Sequence, residues 1–298
     1  MPATLAFSND IDFSDWATYR EAHHILRDEF GIDADESFWL FDPKGSDMAL
    51  FKGSVDDKGP RHDELLQDII EGRLTILHSA GNFTDCPPAI RCTRALVAEG
   101  LAYLRAHANV PFVWVNHGGV ADIQNLGGAH PVYQQGDDPA SNAYLLDLLL
   151  HEGFRFFWTD WGVRNDFVLS APGREGGILY RERARSGQVL TCFARYRGAL
   201  SRAPDAQTLG RQLTSENLDA LLAAEGTTIV YQHWCLHRDS EGRPFTARRP
   251  VFPPESFEAL RRIARIRDSG ALRMPRLTTL LPELADAEEA HLPGRGVD

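Results

Sequence analysis

Residues 215–234 read "SENLDALLAAEGTTIVYQHW". The stretch opens on a serine of the kind that caps helices, carries leucines at helical spacing and stops at Gly226. It then passes straight into the apolar, β-branched run "TTIVYQHW" (227–234). A helix that feeds a strand directly is half of a repeating α/β unit. The same rhythm runs through the rest of the chain. Strands are expected at 3–7, 37–42, 74–78, 111–116, 154–159 and 189–196, and helices at 15–30, 62–72, 89–108, 141–153 and 254–270.

Strands alternating with helices specify a parallel sheet covered by helices. Seven or eight such units over about 270 residues suit a closed barrel, since barrels of this type run to about 250 residues. The expected fold is therefore α/β, a distorted (β/α)7, TIM-like barrel forming a single domain over residues 1–280. Residues 160–188 are long for a connection and are read as an excursion that shapes the pocket. Residues 281–298, acidic and then Pro/Gly-rich, are read as a flexible tail. An open doubly wound sheet is the alternative. No GxGxxG follows the first strand and no GxxxxGK[ST] occurs, which removes the main support for dinucleotide and P-loop chemistry.

The 298 residues are 43% hydrophobic and 24% charged, ordinary values for a globular enzyme, and the net charge is −11. A surface that acidic argues against nucleic acid as a partner. Cys86, Cys92, Cys192 and Cys235 form no CxxC pair, so a zinc knuckle is not expected and a reducing compartment is. No stretch reaches the roughly 18 apolar residues of a membrane span, and "MPATLAFSNDIDF" has no signal-peptide pattern. A cytoplasmic location is the expectation.

In a parallel barrel the site sits at the C-terminal strand ends. Here those ends carry "SNDID", "HSAGNFTD", "NHGG" with "DIQN", "TDWG", "RYR" and "YQHWCLH". Asp10 and Asp12 lie two apart and face one side if the strand continues. One can be a metal ligand and the other a general base; an Asx turn before the helix is the simpler use of either. A lone histidine ending a strand, such as His78, is more often a hydrogen-bonded core residue. Asn82 and Asp85 nearby shift the balance, because a side chain four residues on can return to the same ion if the loop coils. An imidazole, a carboxylate and a softer oxygen ligand suit Zn²⁺ or a similar divalent ion, which lowers the pKa of a water toward about 7. His117 either lines the site or holds a turn. Arg195 and Arg197, two apart, can both face the site, orienting a base or holding an acidic group. His233 can donate a proton to a leaving amine, with His237 as the alternative. Aromatics are dense at these ends: Trp39, Trp114, Trp158, Trp161 and Trp234, some in the core and one or two able to stack on a sugar.

The order of these motifs resembles the polysaccharide deacetylase superfamily, the NodB-like or carbohydrate esterase family 4 proteins. The resemblance spans about residues 5–275 and rests on short motifs; it looks closest to divergent members found with O-antigen and surface-glycan biosynthesis. It implies a distorted (β/α)7 barrel. "SNDID" stands in place of the family's paired acids, with Asp10 as base and Asp12 as metal ligand, or Asn9–Asp10 in their place. "HSAGN" stands in place of H(S/T)xxH, giving His78 and Asn82 as ligands. Asn82 is a departure, and Asp85 or His117 can complete the set instead. "RYR" implies Arg197 as the residue orienting the base, and "IVYQHW" implies His233 as general acid. Asn9, His117, Asn125, Trp161, Arg195 and Trp234 are the substrate-binding candidates.

The function this implies is metal-dependent removal of an N-acetyl group from an acetamido sugar or a glycan-biosynthesis intermediate, with Zn²⁺ as cofactor. Two alternatives remain. One is hydrolysis of a small non-sugar amide or imide. The other is a barrel that binds a glycan or metabolite without turnover.

Overall fold

The computed structural model describes the chain apart from residues 1, 13, 85, 88–89, 119–121, 128–131, 160–162, 174–176, 201–202, 235–251 and 292–298. Every side chain of the first strand, β1 (Ala3–Asn9), is buried, as a strand covered on both faces must be. Asp15 then caps α1 (Trp16–His24), accepting from the Thr18 N–H at 2.7 Å. The helix runs on into a π-helical turn over Ile25–Glu29. Next come β2 (Glu36–Phe41), β3 (Ala49–Phe51), α2 (His62–Ile70), β4 (Leu74–His78), α3 (Arg94–His107), β5 (Val113–Val115), α4 (Leu146–His151) and β6 (Phe156–Trp158). The remainder holds β7 (Val163–Arg164), β8 (Leu179–Arg183), β9 (Val189–Phe193), β10 (Arg195–Tyr196), α5 (Leu209–Gln212), α6 (Ser215–Ala223), β11 (Thr227–Gln232), α7 (Pro254–Asp268), β12 (Leu272–Arg273) and α8 (Leu277–His291).

The fold is α/β. Its described strands form two sheets. One, in the order β12-β1-β11-β10-β7, is parallel throughout. The other, in the order β3-β2-β4-β5-β6-β9-β8, is parallel except for the β8–β9 hairpin. Among the described residues no ladder joins the sheets, but side chains do. Asn9 Nδ2 donates to both Glu36 oxygens at 2.7 and 2.6 Å, and the Ile11 N–H donates to Ser37 Oγ at 2.9 Å. On the other side the Arg195 guanidinium lies between the rings of Trp158 and Tyr231, at 3.7 and 3.8 Å from their centroids.

Four features depart from the sequence expectation. The single strand expected at 189–196 is two: β9 pairs with β6, the chain breaks step at Ala194, and β10 pairs with β11 and β7 in the other sheet. The excursion at 160–188 contributes β7 and β8, the latter antiparallel to β9. The α3 and α4 helices begin later than their apolar patterns suggest, at Arg94 and Leu146. The tail from 281 is not loose as far as it is described: α8 runs to His291 with Leu281 fully buried. Asp35 anchors that helix, accepting from the Thr278 N–H at 2.7 Å and from the Arg276 guanidinium.

Gly81 fixes the loop after β4. A Cβ there would lie 2.2 Å from the Phe41 carbonyl oxygen, so only glycine allows this approach. The loop therefore runs beside β2, with the Phe41 N–H donating to Ala80 O at 3.2 Å and the Asn82 N–H to Phe41 O at 2.9 Å.

Candidate metal centre

β1 ends at Asn9, but the Asp10 N–H still donates to the Gln232 carbonyl on β11 at 2.9 Å. That bond carries both aspartates over the C-terminal strand ends. Asp12 is buried there among three imidazoles. Its Oδ1 lies 2.6 Å from His117 Nε2, and its Oδ2 lies 2.9 Å from His78 Nε2 and 3.3 Å from His233 Nε2. His78 is the last residue of β4, His117 lies two residues beyond β5, and His233 directly follows β11.

Two overlapping groups of side chains have ligand atoms within 4.8 Å of one another: Asp12, His78 and His117, and Asp10, Asp12 and His233. Asp10 is otherwise engaged. Arg195 Nη1 and Nη2 donate to its two oxygens at 2.6 and 3.2 Å, and Nη1 also reaches Ser8 Oγ at 3.1 Å. The first group is thus the one with donor atoms to spare. One carboxylate and two imidazoles form a donor set that fits a divalent ion such as Zn²⁺ and leaves a position for a further ligand. Each imidazole is braced. His117 Nδ1 lies 2.9 Å from Asp122 Oδ2, a close ionic approach at an angle short of a hydrogen bond. His78 stacks on Trp39 with centroids 6.0 Å apart and planes 23° apart.

The charges are strongly coupled. Burial alone would push the Asp12 carboxyl up, but His117 and His78 beside it hold it well below the usual carboxylate range. Burial would likewise push His117 down; the Asp12 charge outweighs this and holds its pKa at about 10. His233 is raised in the same way, against burial, by its contact with Asp12. A cation and these imidazolium protons compete for one carboxylate. His233 Nδ1 donates to the Pro204 carbonyl at 2.9 Å, which turns Nε2 toward Asp12 and toward the Tyr231 hydroxyl 3.4 Å away. Burial, and then the Asp10 charge, keep that phenol neutral by raising its pKa well above the ordinary value.

The structure brings Asp10, Asp12, His78, His117, Arg195 and His233 together. It does not bring Asn82. The loop held against β2 never coils back; Asn82 Nδ2 reaches Asp42 at 3.3 Å and Oδ1 accepts from the Thr84 N–H at 3.1 Å. His117 stands where Asn82 was expected. Arg197 is not the arginine that meets Asp10. It follows a strand of only two residues, so the alternation that was to bring both arginines to one face is lost, and Arg195 alone meets Asp10. Asn9 is spent on Glu36 and on the Trp234 N–H at 3.0 Å. Asn125 clamps the His117 backbone, accepting from its N–H at 3.1 Å and donating to its carbonyl. Trp234 is core, edge-on to Phe7 with centroids 4.9 Å apart. Asp85, Trp161 and His237 lie outside the described residues. Sequence reasoning missed Asp122 and Tyr231. Tyr231 had a signal, since it lies two residues before His233 on one strand face.

In comparisons with known proteins, no family model and no curated protein matches this chain.

Proposed function

We propose that this protein is a metal-dependent hydrolase that removes the N-acetyl group from an acetamido sugar or glycan-biosynthesis intermediate. The supporting fold reading is a distorted (β/α)7 barrel: the two sheets are its halves, with β1 facing β2 at one seam and β6 facing β10 at the other. The observation that carries the proposal is the division of labour between two adjacent buried carboxylates. Asp12 faces His78 and His117, and Asp10 is clamped by Arg195.

Asp12, His78 and His117 would hold the ion, most simply Zn²⁺. When bound, it supplies Lewis-acid polarisation of the acyl carbonyl and makes a water more acidic. Asp10 is the general base. The Arg195 fork fixes its direction, because both oxygens are oriented by a planar group. His233 is the general acid: with Nδ1 tied to Pro204, its proton on Nε2 faces the reacting groups and passes to the departing amine. Among the described residues no helix is long and apolar enough to cross a membrane.

The test is elemental analysis of the purified protein, combined with acetate release from nucleotide-linked acetamido sugars before and after chelation. One equivalent of metal and chelator-sensitive release support the proposal. Metal-free protein that gains neither metal nor activity on adding Zn²⁺ refutes it.

A further inference from the structure

One row of side chains crosses four strands at the level of the proposed metal site. Phe38 pairs with Leu77, which sets Trp39 beside His78; His78 pairs with Val115; and Val115 pairs with Trp158. In-register residues of a parallel sheet point to the same face. Since His78 faces Asp12, Trp39 and Trp158 share that face. Trp39 also meets His117 edge-on, with centroids 5.4 Å apart. Trp158 lies over the Arg195 guanidinium that holds Asp10 and has its ring 5.9 Å from Tyr231. One indole thus flanks the ligand histidines and the other flanks the base.

Both indoles are buried, at 2% and 6% exposure, and among the described residues neither Nε1–H has a hydrogen-bond partner. An indole nitrogen can only donate. Leaving such a donor buried and unmet is destabilising, a cost that a phenylalanine would avoid. Val115 between them offers no acceptor. Trp114, which faces away from this row, has its donor satisfied by Asn116 Oδ1 at 2.9 Å. Trp234 Nε1–H also has no partner among the described residues, but that indole sits among Phe7 and Phe252. It is an internal control.

We propose that Trp39 and Trp158 are substrate-binding donors: their Nε1–H groups hydrogen-bond to oxygen atoms of an acyl-bearing ligand, a short-chain carboxylate or amide, lodged between the ligand histidines and Asp10. The proposal rests on the hydrolase reading above and adds how that site recognises its substrate.

The full-length protein, ¹⁵N-labelled at the indoles, is titrated with sodium acetate as the probe, once loaded with Zn²⁺ and once chelated. Trp→Phe variants assign the signals. The expected result is a saturable shift of the Trp39 and Trp158 Hε1 signals with Trp114 and Trp234 unmoved, and acetate affinity weakened about fivefold to tenfold in Trp39→Phe and Trp158→Phe. If either variant does not fold, its signal is assigned by elimination from the Trp→Phe variants of the other tryptophans, and the wild-type shifts decide. Stoichiometric Zn²⁺ with stationary Trp39 and Trp158 signals, whether or not acetate binds, overturns this inference while sparing the metal site. Absence of Zn²⁺ binding with the same two indoles still shifting in the chelated protein retains it and removes the hydrolase reading instead.

Discussion

Arg195 grips Asp10 through both terminal nitrogens, at 2.6 and 3.2 Å, although neither side chain is more than 2% exposed. A guanidinium buried this deeply is costly unless its charge is met, and here it is also sandwiched between two aromatic faces. Asp10 therefore keeps a fixed direction and a compensated charge, while Asp12, two residues on, faces imidazoles. The same chemical group is given two roles by its neighbours.

Replacing Arg195 tests this directly. Lysine keeps the charge but loses the fork and the flat surface that fits between Trp158 and Tyr231. Arg195→Lys should lower turnover by about 10²-fold or more, the scale of a positioned general base. Arg195→Ala leaves the Asp10 carboxylate unpaired and should cost about 3–5 kcal/mol of stability in urea unfolding. Arg197→Ala should stay within a few-fold of wild-type turnover. Equal losses at the two positions would refute the assignment.

Metal content separates His117 from Asn82. His78→Ala and His117→Ala should each lose bound metal, because each removes one of three protein donors. Asn82→Ala should retain a full equivalent, since its side chain is used within its own loop. Asp10→Asn should keep metal and lose turnover by about 10²–10⁴-fold. Elemental analysis of the four purified variants, with a turnover assay of Asp10→Asn, measures both; retention of metal by His117→Ala would be the decisive contrary result.

The alternation of strand and helix was legible because each unit carries its own local signal: apolar runs for β4 and β11 and a glycine stop such as Gly72 or Gly226, although the cap of α6 is Thr214, accepting from the Asn217 N–H, and not the expected Ser215. Asp12 and His78 were legible because each sits where a parallel strand delivers its C-terminal end. What was not legible depends on contacts far apart in sequence. Whether Arg195 or Arg197 faces Asp10 is decided by the break in step at Ala194, where one apolar run is shared between two sheets. Spacing and the H(S/T)xxH resemblance both point Asn82 at the ion, and neither registers the Phe41 carbonyl that draws the loop aside. Tail composition likewise hid α8, whose apolar face is buried by partners more than 200 residues away, Asp35 among its anchors.

Asn9 tests the seam between the two sheets. Its amide donates to both oxygens of the buried Glu36 carboxylate, and its Oδ1 accepts from the Trp234 N–H. Hydrogen bonds to a charged group contribute about 1.5–3 kcal/mol. Asn9→Ala should reduce the free energy of urea unfolding by roughly that much, with metal content intact in the folded fraction. A loss of substrate affinity with unchanged stability would instead return Asn9 to substrate binding.

The buried thiols set an alkaline limit. Burial, and then the Asp122 charge, raise the Cys92 pKa; burial, and then Glu182, raise that of Cys192, both from an ordinary 9.0. Above that value the unfolded chain releases protons that the folded chain keeps, so stability is full below about pH 9 and falls as pH rises beyond it. The slope should approach about 1.4 kcal/mol per thiol per pH unit. Urea midpoints across this range should flatten in a Cys92→Ala, Cys192→Ala variant. An unchanged slope would assign the alkaline loss to other groups.

Gly81 carries the last prediction, because it links the loop path to the metal site. The residue bridges Phe41 on β2, and its carbonyl accepts from Gln124 Nε2 at 3.0 Å. Gln124 in turn reaches Asp122, the carboxylate behind His117. A Cβ at position 81 would stand 2.2 Å from the Phe41 carbonyl oxygen, a backbone atom that cannot swing away. Gly81→Ala must therefore push the loop off β2, at about 1–3 kcal/mol by the usual cost of overpacking. The displacement starts three residues after His78 and reaches Asp122 through Gln124, so metal affinity should fall with stability. Titration of Zn²⁺ into the chelated variant, alongside its urea unfolding curve, measures both. Lost stability with wild-type Zn²⁺ affinity would mean that the loop only fills space, and that Asp12, His78 and His117 are held by their strands alone.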